Sequence, residues 1–551
     1  MDIRFLYQNK FFKIIQTNDK LRYCLFVVGS AILSNLAYPE INLFFIHFIS
    51  LIPLFYVIYK TDKLSDAFLY GALYGFTFHL ILIFWLKIFH PLSLPGLLLG
   101  FSIYFGLNLF LIKWLIHHFP KFRILIIPSV WVLIEYIRSI GFLGFPWGLT
   151  AHSQWNFIPF IQISEIFGMW IISFLIVLFN VLFLEFYLTR NKKFIFHFLV
   201  LLFIPLLFGI LRIHQIRSRM ENMDRIKIGL IQGNVDPNLY FSEIKYDVLS
   251  MFTVLSEKCA LENVDLIVWT ETTILDYLNY YIKYRDRLVG IRHLADRLSY
   301  AENAVRIAQD VETPVFTGTL DFERIQKNGK TIVNDYNSAV LISKKGQIVD
   351  IYRKNHLVPF GEWFPYGQYF PFIKRILEKT WAGNFTPSNK KTVFNLQKNN
   401  RNYPFSCLIC YEGVFSDLTR FFILKGARFL LNITNDMWSF SRRAQFQHMI
   451  ADVFRAVENR VPYIRSANSG VTGWINQYGK VMKTLPLFTR DYLIVEVPAG
   501  KIDTTFYTRW GDFFPRILLI FILSLVLLLG MQKMQAPHRE RLSMKGRVRK
   551  K

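Results

Sequence analysis

The run Phe405-Ser-Cys-Leu-Ile-Cys-Tyr-Glu-Gly-Val-Phe415 decides how this chain is read. Its first half is apolar and β-like, and at Cys410 it breaks into a polar turn. A strand that ends there sets the Cys410 thiol at the mouth of a site. Two further β-like runs end in the same way. Ile267-Val-Trp-Thr-Glu271 delivers a carboxylate, and Tyr352-Arg-Lys-Asn-His-Leu-Val-Pro-Phe-Gly-Glu362 delivers the ammonium of Lys354. A thiol, a carboxylate and a lysine brought together at strand ends can serve as nucleophile, base and cation for an oxyanion. Singly, each has a plainer reading: Cys410 as a small buried hydrophobe, Glu271 as a surface carboxylate, Lys354 as a solvated lysine. Their joint occurrence, in this order, points to chemistry.

Around this stretch the chain divides by composition. Of 551 residues, 53% are hydrophobic, which is too apolar for an ordinary soluble protein of this size. The excess lies in apolar runs between residues 23 and 213 and in one more near 517–534. Residues 220–505 carry charges throughout and read as a globular domain. The expected organisation is a transmembrane bundle over 1–219, a catalytic domain over 220–505, and a final membrane helix with a basic tail over 506–551.

Candidate spans are 23–39, 42–59, 68–89, 94–116, 124–142, 158–187, 194–213 and 517–534, about eight in all, most near the roughly 20 residues that cross a bilayer. The first lacks a small-residue cleavage site after Ser34-Asn-Leu-Ala37 and is read as an anchor. Cations then set the orientation. Arg4, Lys10, Lys13, Lys20 and Arg22 precede the first span; Lys60 and Lys63, then Lys113, Lys121 and Arg123, then Arg190, Lys192 and Lys193 fill the even connections. The odd connections are nearly free of them, with Lys87 the main exception. This alternation places both termini in the cytoplasm and the large domain outside. Arg212, Arg217 and Arg219 sit on the wrong side of the scheme, before a long translocated domain where the rule is weak. The net charge of +25 suggests nucleic acid at first sight. The cations cluster at span ends and in the tail after Lys533, not in an aromatic-interleaved groove, so membrane topology accounts for them and nucleic acid does not.

Polar residues inside spans read as local pairs or packing. Glu135 and Arg138, one helical turn apart, are expected to pair with each other. His79 and His197 read as satisfied packing or interface positions. Gly144-Phe-Pro-Trp-Gly148 reads either as an interfacial anchor or as the floor of a site facing the domain.

In the globular part, short β-branched runs recur at 226–231, 266–269, 314–319, 339–343, 405–410, 429–434 and 463–466, with helical stretches such as 445–459 between them. The pattern predicts an α/β layered domain. No zinc-ligand cluster or phosphate-cradling glycine loop stands out. Cys407 and Cys410 have redox-pair spacing. On a strand, three steps of about 3.3 Å put their α-carbons roughly 10 Å apart, beyond disulfide reach.

Glu271, Lys354 and Cys410 at strand ends resemble the Glu-Lys-Cys triad of the nitrilase superfamily. Tyr352–Glu362, Ile409-Cys-Tyr-Glu412, Leu431-Asn-Ile-Thr-Asn-Asp436, Arg465-Ser-Ala-Asn-Ser-Gly470, Phe145-Pro-Trp147 and Arg509-Trp-Gly-Asp512 resemble its apolipoprotein N-acyltransferase branch. So does the layout of seven spans, a domain and one more span. Three departures stand out: Thr270 where the family has Pro, Ser439-Phe440 after Trp438 where it has Phe-Gly, and Tyr240 and Phe241 where it often carries a Trp after Gln232-Gly-Asn234. The last two bear on specificity more than on chemistry.

The resemblance implies an αββα sandwich domain beside the α-helical bundle, in a bacterial inner membrane, with the domain on the outer side. It implies an acyl donor that is a membrane phospholipid, an acceptor that is a diacylglyceryl apolipoprotein, and no metal or other cofactor. A free thiol titrates near about 8.5 and is mostly protonated at neutral pH. By the family pattern Glu271 removes that proton, Lys354 stabilises the oxyanion, and a thioester forms on Cys410. Glu362 would orient Lys354, while Tyr411, Glu412 and Trp438 would support the site or bind substrate. His356 has no part in the family's mechanism and reads as structural. Two rivals follow: a membrane-tethered amidase or nitrilase acting on small C–N substrates, and a non-catalytic membrane protein. The spans weigh against the first, and the intact triad against the second.

Overall fold

The computed structural model describes residues 18–89, 91–236, 244–327, 329–364, 384–500 and 503–548. Arg4, Lys10, Lys13, Tyr240, Phe241, Arg549, Lys550 and Lys551 lie outside them.

The bundle contains α1 (Asp19–Asn35), α2 (Ile52–Lys60), α3 (Leu64–Leu82), α4 (Ser93–His118), α5 (Arg123–Ile137), α6 (Trp170–Thr189) and α7 (Lys193–Glu221). Among the described residues, four helices are long and apolar enough to cross a membrane: α4, α6, α7 and the Phe513–Gln532 part of α12 (Phe513–Val548). Several expected spans are therefore shorter or broken. The 42–59 run splits into a 3-10 turn, Phe44–Phe48, and α2, whose first turn carries Pro53. Asn180 of α6 repairs the break: its Oδ1 accepts from Leu51 N at 2.8 Å and its Nδ2 donates to the His47 carbonyl at 2.7 Å. Broken backbone at membrane depth persists only where a neighbour satisfies it in this way. The 158–187 run breaks at Gly168, whose φ of +71° favours glycine, leaving two one-turn helices, Ile158–Ile161 and Ser164–Phe167, ahead of α6. The 124–142 run stops at Ile137.

Glu135 and Arg138 do not pair as expected. Glu135 Oε1 accepts from Thr150 N and Thr150 Oγ1, both at 2.7 Å. Arg138 donates to the carbonyls of Phe145, Trp147 and Gly148 at 3.0, 2.8 and 3.2 Å, and so moulds the 144–148 loop. His79 stacks on Phe101 at 3.7 Å and bonds the Gly75 carbonyl through Nδ1, as a packing histidine should. On α7, Phe196 and Phe203 are 65% and 62% exposed. Apolar faces this continuous are stable against hydrocarbon rather than water.

The domain is built from twelve strands: β1 (Arg225–Gln232), β2 (Leu266–Val268), β3 (Val315–Lys327), β4 (Lys330–Ile342), β5 (Ile348–Arg353), β6 (Phe394–Lys398), β7 (Arg401–Ile409), β8 (Phe429–Thr434), β9 (Tyr463–Ala467), β10 (Gly473–Ile475), β11 (Val481–Thr484) and β12 (Asp491–Pro498). They form two six-stranded sheets in the orders β12-β1-β2-β3-β4-β5 and β11-β10-β9-β8-β7-β6. At their centres β1-β2-β3 and β7-β8-β9 run parallel. Parallel strands are covered on both faces, which is why they read in the sequence as unbroken apolar runs. The sheets face each other: Phe316 of β3 meets Phe394 and Phe405 at ring-centroid distances of 5.1 and 5.6 Å. Helices α8 (Lys245–Leu261) and α9 (Ala295–Asp310) cover the outer face of the first sheet. After β7 come α10 (Ser416–Leu424) and α11 (Arg442–Asn459), the latter lying along β9 and β10. The result is a nitrilase-like α/β domain.

Bundle and domain share one continuous apolar core. The polar link is Arg460, 2% exposed, in the left-handed C-cap of α11. Its Nε meets Glu165 Oε2 at 2.5 Å and its Nη1 meets Gln162 Oε1 at 2.6 Å, both on the bundle side. The three cations that broke the charge rule are taken up at the same junction: Arg212 pairs with Glu165 at 2.8 Å, Arg217 lies over the Tyr478 ring, and Arg219 meets Asp503 at 3.2 Å.

Breaking a buried pair by removing one partner costs about 3 kcal/mol or more. Arg212 remains beside Glu165, so Arg460→Met should sit near that lower value, read as a lowered thermal unfolding midpoint in detergent micelles. An unchanged midpoint would remove Arg460 from the interface account.

Candidate active site

Three strand ends converge. Glu271 follows β2, Lys354 follows β5, and Cys410 follows β7. Glu271 is held close against β3, because Gly318 opposite it has no side chain: a Cβ there would lie 2.4 Å from Thr272 N and 2.8 Å from the Glu271 backbone. Cys410 takes φ +51°, a left-handed conformation costly for a non-glycine residue, at the turn from strand to 3-10 helix.

Lys354 is 1% exposed. Its Nζ donates to Glu362 Oε1 at 2.8 Å and to Glu271 Oε1 at 3.2 Å. Asn337 of β4, which the sequence did not single out, donates through Nδ2 to both carboxylates at 2.9 Å. Asn435 N donates to Glu271 Oε2 at 2.9 Å. Burial works against the lysine's charge, but the charges of Glu271 and Glu362 hold it protonated well above the ordinary lysine range. Burial, together with the charge of Glu271, pushes the Cys410 thiol well up, while Lys354 pulls it down. The resting sulfur is therefore a thiol that needs a base, with a carboxylate and an ammonium beside it.

Glu412 ties two of these strand ends together. Its Oε2 accepts from Ile409 N at 2.8 Å, in the elbow that carries Cys410. Its Oε1 accepts from Asn355 N at 2.6 Å and His356 N at 3.0 Å, in the loop that carries Lys354. The Tyr352 hydroxyl donates to it as well, at 2.9 Å. Burial pushes Glu412 up to about 7, against those N–H bonds and the charge of Lys354.

The word Leu431–Asp436 lies on β8 and its exit, and its polar residues all face the site. Asn432 Nδ2 donates to the Cys410 carbonyl at 3.1 Å, and Thr434 bonds the Cys410 thiol. Asp436 Oδ1 meets His448 Nδ1 at 2.8 Å, and His448 Nε2 meets the Cys410 carbonyl at 3.1 Å. Burial would raise Asp436, but the charges of His448 and Arg465 bring it down to about 2. Donor atoms of Cys410, Asp436 and His448 lie within 4.8 Å of one another, a spacing that suits a metal ion. Both ring nitrogens of His448 are already engaged and Arg465 occupies the other Asp436 oxygen, so the set reads as a hydrogen-bond relay onto the strained elbow. Asn337 and His448 carry no local sequence signal, since only the folded chain brings them to Glu271, Lys354 and Cys410.

The bundle supplies one wall. Trp147 stacks on Tyr411 at 5.6 Å, and the Tyr411 hydroxyl donates to the Gly144 carbonyl. The Gly144–Gly148 loop is thus part of the site. His356 stacks on Phe415 at 3.7 Å, a structural role. Trp438 stands apart from the buried groups, 39% exposed on the turn Asp436–Ser439. Cys407 and Cys410 are both free thiols, on the strand and on the elbow respectively.

In Glu412→Gln an amide nitrogen would face N–H donors that need an acceptor, and each orphaned buried donor costs about 1–3 kcal/mol. Lower thermal stability and a lower kcat are expected together, and wild-type values for both would sink the clamp. The ordinary value for this carboxyl is 4.5 and its folded value about 7, so the folded state favours the protonated form. That contribution to stability is present below 4.5 and is lost as pH rises through about 7. Denaturant titrations from acid to neutral pH should find this fall in wild type and a shallower one in Glu412→Gln.

Residues 227–507 match the family described as carbon-nitrogen hydrolase, and residues 30–182 match the one described as apolipoprotein N-acyltransferase N-terminal domain. Apolipoprotein N-acyltransferase 1 of Treponema denticola is 32% identical over 90% of this chain and 93% of its own length. The apolipoprotein N-acyltransferase of Geobacter metallireducens is 31% identical over 89% of this chain and 92% of its own, and that of Borreliella burgdorferi 30% over 91% and 94%. A buried lysine between two carboxylates beside a cysteine elbow, and relatives matching nearly end to end, agree: the chain is an enzyme of the apolipoprotein N-acyltransferase family in the nitrilase superfamily, an acyltransferase of lipoprotein biosynthesis.

Proposed function

We propose that this protein moves a fatty acyl chain from a membrane phospholipid, through a thioester on Cys410, to the α-amino group of a diacylglyceryl-cysteine at a lipoprotein N-terminus. The observation that carries this reading is Lys354, buried between Glu271 and Glu362 next to the Cys410 sulfur. Glu271 takes the thiol proton as sulfur attacks the ester carbonyl, and the oxyanion forms against the Lys354 ammonium. Collapse breaks the ester C–O bond; Glu271 returns the proton to the departing lysophospholipid oxygen and leaves a thioester. The lipoprotein amine then attacks that carbonyl, Glu271 takes its proton, and the C–S bond breaks to give the amide and the thiol. Nucleophile, base and cation are all side chains, so the two half-reactions call for no cofactor. Glu362 and Asn337 position the lysine, Glu412 the elbow, and Tyr411 and the exposed Trp438 face the substrate side.

The same reading includes about eight spans, both termini in the cytoplasm, and the domain outside the inner membrane. The first, third and fifth connections, poor in cations, are those that touch the domain, through Glu40, Trp85 and Gly144. The cation-rich ends of α2, α4, α5 and α6 gather at the opposite end, where Lys113 donates to the Ile58 carbonyl and Arg123 grips Glu185. A site on the domain side of a lipid-embedded bundle lets acyl chains stay in hydrocarbon while the ester reaches sulfur.

Incubation with phospholipid alone should yield lysophospholipid and a stoichiometric acyl group on Cys410, found by mass spectrometry of the intact protein. Cys410→Ser should lose activity by at least about 10³-fold, because a hydroxyl is far less acidic than a thiol. Turnover of small amides with no lipid-derived acyl-enzyme would instead identify a membrane-tethered amidase.

A further inference from the structure

Both ring nitrogens of His448 face acceptors. Nδ1 lies 2.8 Å from Asp436 Oδ1, and Nε2 lies 3.1 Å from the Cys410 carbonyl. An acceptor on each side is satisfied only by a proton on each nitrogen, and an imidazole with two protons is a cation. The guanidinium nearby does not change this. Arg465 Nη2 stands 3.5 Å from Nδ1, but it donates to Asp436 Oδ2 at 3.1 Å. The ring is 5% exposed, so these partners decide its protonation.

The charges around the ring ask for the same state. Asp436 faces it from the exit of β8, and Asp452 stands one turn along α11. Arg465 on β9 bonds both carboxylates. From the bundle comes only the uncharged ring of Trp147, 5.8 Å away. Two carboxylates thus meet one guanidinium. A charged His448 balances them, whereas a neutral ring would leave a net negative charge buried beside the elbow.

The Cys410 sulfur is within reach of this charge. Donor atoms of His448, Asp436 and Cys410 lie within 4.8 Å of one another. Asp436 opposes a negative sulfur from one side and Glu271 from the other, while Lys354 is shared between two carboxylates. A positive ring offsets Asp436 at the distance where its charge acts on sulfur.

We propose that His448 is the second cation of the site: an imidazolium held between Asp436 and the Cys410 carbonyl, it fixes the strained elbow and stabilises the thiolate that attacks the ester and later leaves the thioester. The inference rests on the acyl-transfer reading and assigns a further residue to it. In the first half-reaction Glu271 takes the thiol proton, and the negative sulfur forms beside the imidazolium. In the second, the C–S bond breaks with its electron pair on sulfur, and Glu271 hands that sulfur the proton taken from the amine. His448 keeps both of its protons throughout, so it is a positioning residue and neither acid nor base.

His448→Gln separates charge from shape, because its amide can still donate to the Cys410 carbonyl. Alkylation of Cys410 by iodoacetamide, followed across pH by mass spectrometry of the full-length protein's Cys410 peptide, reads the thiolate with no lipid present. An opposite charge within about 4–6 Å favours the ionised form by roughly one to three pH units. The alkylation midpoint should therefore rise by about one pH unit or more in His448→Gln. Acylation of Cys410 by phospholipid should slow by about tenfold in kcat with KM unmoved, and should recover as pH is raised. His448→Asn, which can keep the donor to Asp436 instead, should move the midpoint in the same direction and serves where the Gln variant does not fold. An unmoved midpoint in a folded variant overturns the proposal, and so does a kcat that falls with thermal stability and is not recovered at higher pH. A raised midpoint with no lipid-derived acyl group on wild-type Cys410 would sink the acyl-transfer reading and leave the charge on His448 standing.

Discussion

A buried ammonium is the constraint on which the site depends. Lys354 has almost no contact with water, and an unpaired charge in such a place would cost several kcal/mol. Two carboxylates stabilise it: Glu271 after β2 and Glu362 in the loop beyond β5, with Asn337 of β4 bonded to both. Each of these groups comes from a different segment of the first sheet or its exits. The charge can therefore be buried only if the sheet is assembled in this order. The same cluster that satisfies the lysine keeps it protonated beside a sulfur whose own burial opposes ionisation.

The second sheet contributes the strained partner. Cys410 sits in a left-handed turn that the surroundings must over-determine. Glu412 bonds the elbow on one side and the lysine loop on the other, while Asn432 and His448 hold the Cys410 carbonyl from β8 and α11. Strain at Cys410 is thus balanced by hydrogen bonds drawn from across the interface between the sheets. A carboxylate already near 7 in that clamp makes the site's rigidity sensitive to neutral pH.

The bundle does more than anchor the domain. Arg138, buried in the bundle, shapes the 144–148 loop through three carbonyls, and that loop presents Trp147 to Tyr411 next to Cys410. The end of α3 is bound to the start of α11 by Arg443 and Gln447, and Arg460 closes the other end of α11 onto the bundle. Helix α11 is therefore fixed to the membrane part at both ends and carries His448 between them. Helix α5 ends at Ile137, and the loop that follows it becomes a wall of the site.

The sequence by itself singled out three residues that the fold brings together, and it determined the central strands. Cys410, Lys354 and Glu271 each end an apolar run, and parallel strands covered on both faces leave a signal that one chain can show. It also determined the apolar character of 23–213 and the alternation of cations along it. What it could not determine were contacts whose partners lie far apart in the chain. Edge strands β5, β6, β11 and β12, and the three-residue β10 beside β11, are short or part-exposed and leave no long apolar run in the sequence. Asn337 and His448 are ordinary polar residues until β4 and α11 bring them to Glu271, Lys354 and Cys410. Helix breaks at residues 49–51 and at Gly168 depend on Asn180 and on the ring of Tyr507, neither of which is nearby in sequence. The expected Glu135–Arg138 pair gave way because each found better partners in the fold. Local patterning is written in neighbours along the chain, but the satisfaction of buried charges and backbone groups is decided by whichever distant atoms the tertiary structure delivers.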